Sequence, residues 1–444
     1  MNVPAVDRLW ERLRRALADK GMLAPGNATP AEVARYADRL RGDREVTRFV
    51  AGYYYPRLYG GGAGELSDAL AESLVDAIET ARAAKKPPPP RADSVAAIVA
   101  GKQYATLAEA VERAERGQEI LVQPGIYRQP LVIDKPVTLV GAGALGAVIL
   151  EGSGETVLTL AGTGAAARRL VIRVPPRTED AAAPPVPALQ LMRGGTLVED
   201  CEISGGGDGI WVQVAAEPIV RRCKLRDCGR YGVWVAQGGS GTFESCEIAR
   251  AGAAGVRAIG NPHFLGCEIV GSRGDGAELS DGEAVFERCR LHGNAQCGIY
   301  VSGSGSSIFR QGRIYANQSA GVLIADQGHA TLEKSGIDEN QNSGVEMRGG
   351  ALTMRGCGLL RNGHFGLLVG EDARGLVEDC TVVENASSGI GVRAGAHCTI
   401  RRTHLNGNAE YGLWVAEKGG YELDRTSATD NKLENVKFDG AAAR

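Results

Sequence analysis

Gly298-Ile-Tyr-Val, Gly321-Val-Leu-Ile, Gly344-Val-Glu-Met and Gly366-Leu-Leu-Val are successive copies of one phrase: glycine, apolar, any, apolar. The phrase starts at Gly209-Ile-Trp-Val and passes through Gly232-Val-Trp-Val, Gly255-Val-Arg-Ala and Gly276-Ala-Glu-Leu. It runs on to Gly389-Ile-Gly-Val and Gly412-Leu-Trp-Val, with Asn435-Val-Lys-Phe as a worn last copy, and recurs every 21 to 23 residues. Two further rows keep the same register. Small residues precede each glycine: Cys201, Cys223, Cys246, Cys267, Cys289, Gly312, Ser335, Cys357, Cys380 and Thr403. Asparagine stands four residues before the glycine at Asn294, Asn317, Asn340, Asn362, Asn385, Asn408 and Asn431.

A fixed period in this range signals a solenoid. Each copy is too short for a pair of helices and holds short alternating segments bounded by Gly, Asn or Ser, which is strand and turn chemistry. One copy is therefore one coil of a parallel β-helix, right-handed because parallel crossovers overwhelmingly are. The expected fold is all-β: a right-handed parallel β-helix solenoid of 21–23 residues per coil, with a small N-terminal α-helical bundle. The two apolar positions of the phrase point inward and the variable one outward. The cysteine row is a tight interior slot. The asparagine row sits at a turn, where Asn tolerates left-handed backbone and its amide bonds the main chain or the next Asn.

Residues 1–86 differ in character and read as the helical bundle, a docking or oligomerisation module. Leu9, Leu13 and Leu17 share a helical face, Thr29-Pro-Ala-Glu32 is a helix start, and Leu66, Leu70, Leu74 and Ile78 mark a third helix. A proline-rich linker covers 87–92. The rod spans 93–438, with a capping helix over 106–116 started by Thr106-Leu-Ala-Glu109. That helix covers the first coil's edge. Pro175–Pro187 is a protruding loop, and 439–444 a tail too short to plug the last coil, so the expectation there is end-to-end contact between copies or else an end blunted by the charges of Lys432, Glu434, Lys437 and Asp439.

Residues 21–60 resemble the small helical domain of unknown function at the C-terminus of bacterial transglutaminase-like membrane proteins, on the Thr-Pro-x-Glu start and the Tyr-rich end at Tyr53-Tyr-Tyr-Pro-Arg-Leu-Tyr59. The resemblance implies an interaction module and no chemistry. The capping box at Thr106, Glu119-Ile-Leu-Val-Gln-Pro-Gly-Ile-Tyr127 and Leu131 to Gly141, together with the repeats, resemble the pectin-lyase-like β-helix superfamily over about 91–438. That resemblance implies the fold. It also brings an enzymatic alternative, since many β-helices cleave or epimerise acidic sugars.

Net charge is −3, which gives no bulk attraction to nucleic acid or an anionic membrane. The N-terminus carries no apolar signal core, and no run of apolar residues is long enough to span a membrane. With ten cysteines, mostly interior, these features make the expected compartment the cytosol of a bacterium. No Cys-x-x-Cys pair suggests zinc, and no cofactor or metal is expected. The outward row reads Trp211, Trp234, Arg257, Glu278, Tyr300, Leu323, Glu346, Leu368, Gly391, Trp414. Its best acid/base group is Arg257 and Glu278 with Asp275, Asp281 and Glu283. The acidic-sugar signatures of polygalacturonases, pectin methylesterases and epimerases are missing. The first expectation is therefore a non-enzymatic scaffold whose aromatic face (Trp211, Trp234, Tyr300, Leu323, Leu368, Trp414) meets a protein partner or a glycan. The alternative is a polysaccharide lyase, glycoside hydrolase or uronate epimerase. Two or more carboxylates and a basic group converging in one groove would favour that alternative.

Overall fold

The computed structural model describes residues 95–152, 154–175 and 186–440, with Arg12, Leu13 and Val75. The expected helical bundle of 1–86, its family resemblance, the linker and most of the 175–187 loop and of the tail lie outside the described residues. The three described N-terminal residues are helical, and Leu13 and Val75 are fully buried. Contacts divide the chain into two compact units, Met1–Pro88 and Pro89–Arg444.

The second unit is a parallel β-helix of three sheets, one 16-stranded and two 14-stranded. It opens with a hairpin of β1 (Ala97–Val99) and β2 (Lys102–Tyr104). β1 lies antiparallel to β3 (Glu119–Val122), and from β3 onward all pairing is parallel. The first sheet then runs to Gly420–Asp424, the second from Gly125–Tyr127 to Ser427–Thr429, and the third from Leu131–Ile133 to Glu434–Phe438. The antiparallel hairpin ends the first sheet on a strand that does not continue the coil, which blunts that edge. Helix α1 spans Leu107–Arg113 and buries Leu107, Ala110 and Val111 against the first coil. The Thr106 hydroxyl accepts from the Glu109 N–H at 3.2 Å. The helix stops short of the expected 116, because Ala114 already adopts an extended backbone.

Each repeat phrase forms one strand of the third sheet, for example Ile299–Val301 beside Val322–Ile324. The cysteine row is interior as read: all ten cysteines are unbridged and buried. Burial pushes the isolated Cys228 and Cys398 thiols up to about 12, since a thiolate has no solvation there. Inside the first sheet Phe243, Phe264, Phe286 and Phe309 form a second, unexpected column: the first three rings stack at centroid spacings of 4.8 and 5.0 Å, and Phe309 is tilted against Phe286 at 6.4 Å.

The asparagines form a continuous ladder. Each Nδ2 donates to the next Oδ1 at 2.9–3.0 Å, from Asn294 through to Asn431. Left-handed backbone, however, falls on the residue before each Asn and not on the Asn itself. It is found at Ala316, Glu339, Arg361, Glu384 and Asp430, as well as at Gly293 and Gly407. A second left-handed column, including Arg288, Lys334, Asp379 and Arg402, precedes the cysteine row. A single residue in this conformation turns the chain sharply between sheets and aims its side chain outward. The cost for a non-glycine residue is about 1–2 kcal/mol. Ion pairs between stacked corners, such as Arg402–Asp379 at 2.7 Å and Arg361–Glu339 at 2.8 Å, offset part of it.

Candidate functional site

The outward row of the third sheet is in strict register from Trp211 to Trp414. Trp211, Trp234, Tyr300, Leu323 and Trp414 are half-buried, and Leu368 is buried. The face is therefore less open than a bare aromatic stripe.

Of the acid/base group around Glu278, only part is brought together. Arg257 pairs with Glu278 and also reaches the Ser280 hydroxyl at 3.4 Å. Asp281 accepts instead from the Ser304 hydroxyl at 2.6 Å on the rod surface, and the exposed Glu283 takes its backbone N–H to Asn261. Asp275 is buried and accepts from the Cys297 N–H at 2.8 Å. Burial, helped by the nearby Glu278 charge, raises its carboxyl from 3.8 to about 6 despite that hydrogen bond. The folded protein thus holds this proton more tightly than the unfolded chain does. Stability is highest below the unfolded value and falls, by up to about 3 kcal/mol, as pH rises through about 6. Asp275→Asn keeps the acceptor and should abolish that slope. Denaturation midpoints from pH 4 to 8 that fall equally in both proteins would remove Asp275 as the cause.

A groove opens further along the same face. Gly391 leaves a gap in the outward row between Leu368 and Trp414. A Cβ at Gly391 would lie 2.7 Å from the Phe365 ring, which occupies that space. Phe365 in turn packs on Trp414 (6.2 Å, 28°), whose Nε1 donates to Asp439 at 2.8 Å. Beside this wall lies a groove of about 340 Å³ lined by Glu346, Met347, Arg348, Leu368, Gly370, Glu371 and Arg393. Arg348 Nε donates to Glu346 at 2.8 Å, and the pair raises the guanidinium above its ordinary value. Glu346 is mostly covered, with 14% of its side chain exposed, and so is held in one place. Glu371 and Arg393 stand exposed at the rim, with no ion pair to either among the described residues. Two carboxylates, two guanidinium groups and an apolar floor at Leu368 thus share one depression. Among the sequence candidates only Leu368 belongs to it; Arg257, Glu278, Asp275 and Asp281 do not. Among the described residues no three of His, Cys, Asp and Glu meet closely enough to hold a metal ion. No described helix is long and apolar enough to cross a membrane.

The sequence matches the family model of the right handed beta helix region over residues 187–313 and 308–443. Together these matches cover more than half the chain, so the protein belongs to that family, and the right-handed expectation stands. Among curated proteins it is 27% identical over 164 residues to F-box protein dre-1 of Caenorhabditis elegans, across 32% of this chain and 18% of the relative. The chain thus spans less than a fifth of that relative's length. Among solved structures, the A-module of mannuronan C-5 epimerase AlgE4 of Azotobacter vinelandii is 15% identical (TM-score 0.43, 76% of this chain, 92% of that one). The catalytic unit of a GH87 alpha-1,3-glucanase from Streptomyces thermodiastaticus is 13% identical (TM-score 0.45, 78% of this chain, 70% of that one). One is named an epimerase and the other a glucanase. The likeness is one of coiled architecture only.

Proposed function

We propose that the chain is a carbohydrate-active enzyme that hydrolyses a glycosidic bond in the groove at Glu346, which sets the enzymatic alternative above the scaffold. One observation carries this reading: Glu346, Arg348, Glu371 and Arg393 converge over an apolar floor. Glycoside hydrolysis needs two carboxyl groups on either side of the bond. Glu371, exposed and unpaired, is cast as the acid that gives its proton to the leaving oxygen. Glu346, fixed by Arg348, is cast as the carboxylate that takes a proton from the attacking water. The water oxygen bonds the anomeric carbon as the glycosidic C–O bond breaks, and the two carboxyl groups exchange protonation states. Arg393 binds hydroxyl or acidic substituents of the sugar, and Leu368 meets its apolar face.

The test is release of reducing ends from polygalacturonate, alginate, dextran and xylan by the full chain. One polymer should be cleaved, and Glu371→Gln and Glu346→Gln should each lower the rate by about 10²–10⁴-fold. Parent-like rates in the double variant, or no reducing ends from any polymer, would sink the proposal.

A further inference from the structure

Well away from the groove, the same outward row carries a second built cluster. Trp211 and Trp234 stack in parallel, centroids 4.9 Å apart and planes 4° apart. The Arg230 guanidinium lies over both the Tyr231 ring (4.9 Å) and the Trp234 ring (5.0 Å). Asp208, 1% exposed, fixes that guanidinium through Nε at 2.9 Å and Nη2 at 2.7 Å. A buried carboxylate used this way orients the arginine before any ligand arrives. The pair occupies Nε and Nη2 and leaves Nη1 for another acceptor. The guanidinium over the Trp234 ring and the outward edges of the stacked indoles offer hydrogen-bond donors beside apolar surface, which is the dual character of a pyranose ring.

The register links this cluster to the groove. From Trp234 the row passes Arg257, Glu278, Tyr300 and Leu323 before Glu346. That is five strand steps of about 4.8 Å, or about 24 Å along one sheet face. A monosaccharide or disaccharide seated in the groove does not reach so far, whereas a polymer lying along the rod does. Tyr300 and the Arg257–Glu278 pair lie under its path.

We infer that Trp211, Trp234 and Arg230 form a remote platform for the sugar polymer whose internal bonds the groove cleaves. The inference rests on the hydrolytic reading for the cleavage step and on the platform alone for binding. Remote binding of this kind raises affinity for long chains without touching the reacting atoms.

Binding is tested apart from turnover, with the Glu371→Gln full chain run through gels cast with polygalacturonate, alginate, dextran or xylan. One polymer should retard it. Adding Trp234→Ala or Arg230→Ala should weaken that retardation about tenfold, and Trp234→Phe should restore most of it. Matching melting curves exclude misfolding. Equal retardation with and without Trp234→Ala and Arg230→Ala, or no retardation by any polymer, overturns the platform. Retardation by a copurifying protein in place of a polymer overturns it too and returns the face to protein docking. In turnover by the parent chain, viscosity should fall well ahead of reducing-end release. Loss of viscosity in step with reducing ends overturns cleavage at internal bonds. Retardation that depends on Trp234 in a chain that cleaves nothing leaves the platform standing and removes the hydrolytic reading alone.

Discussion

Alanine at position 362 is expected to destabilise the solenoid by about 3 kcal/mol or more. Asn362 Oδ1 accepts from the Asn340 N–H at 3.1 Å and from Asn340 Nδ2 at 3.0 Å. Its Nδ2 donates to the Ile337 carbonyl and to Asn385 Oδ1, both at 3.0 Å. Truncation removes one side chain but leaves groups on both neighbouring coils without partners. The ladder interior is closed to water, with Asn340, Asn362 and Asn385 at most 1% exposed. Each orphaned buried group costs about 1–3 kcal/mol. Asn431→Ala, at the part-exposed end of the ladder, should cost far less, because water reaches it. Urea midpoints followed by circular dichroism and by fluorescence would separate the two. An Asn362→Ala midpoint equal to the parent's would mean that the ladder contributes little.

Phe286→Ala should cost a similar amount, about 3–5 kcal/mol. The ring is fully buried between Phe264 (5.0 Å, 8°) and Phe309 (6.4 Å, 39°). Its neighbours belong to parallel strands whose backbones are paired on both sides, so the sheet does not collapse into the void. Repeat arrays also lose stability locally, each coil leaning mainly on the next. Hydrogen exchange should therefore quicken first in strands Asn261–Leu265, Glu283–Glu287 and Ser306–Arg310. Uniform quickening along the whole rod would contradict a local defect.

The coil path was legible because three rows repeat in one register, and a one-residue slip would turn every inward side chain outward. The slot at Cys201 and its equivalents was legible for the same reason: only small residues recur there. The corners were misread by one residue. Asparagine is the familiar left-handed residue, yet here its amide serves the ladder, and the bend falls on charged neighbours such as Arg361 and Glu384.

The groove was missed because it is built from departures from the repeat. Two residues beyond each outward position stand Gln213, Ala236, Ile259, Ser280, Ser302, Ala325, Gly370 and Ala416, all uncharged. That column is broken by arginine at Arg348 and Arg393, on either side of Gly370-Glu371. The outward row loses its side chain only at Gly391. Aligned column by column, those irregularities stand out in the sequence itself. The pairing of Phe365 with Trp414 does not, because it depends on ring placement across coils.

The regular ladders also bear on how such a chain changes by descent. Excising the 23 residues from Val322 to Gly344 would bring Gly321 next to Val345, in frame with the period. Asn317 would then meet Asn362, and Phe309 would meet Met354, without a mismatched corner. The rod would shorten by one step of about 4.8 Å. Unequal crossing-over between copies is therefore tolerated wherever it removes or adds a whole period. Residues 344–393 carry every lining residue of the groove on three consecutive coils. They form a cassette that duplication upstream would carry along the rod intact, lengthening or shortening the track between Trp234 and Glu346 one coil at a time.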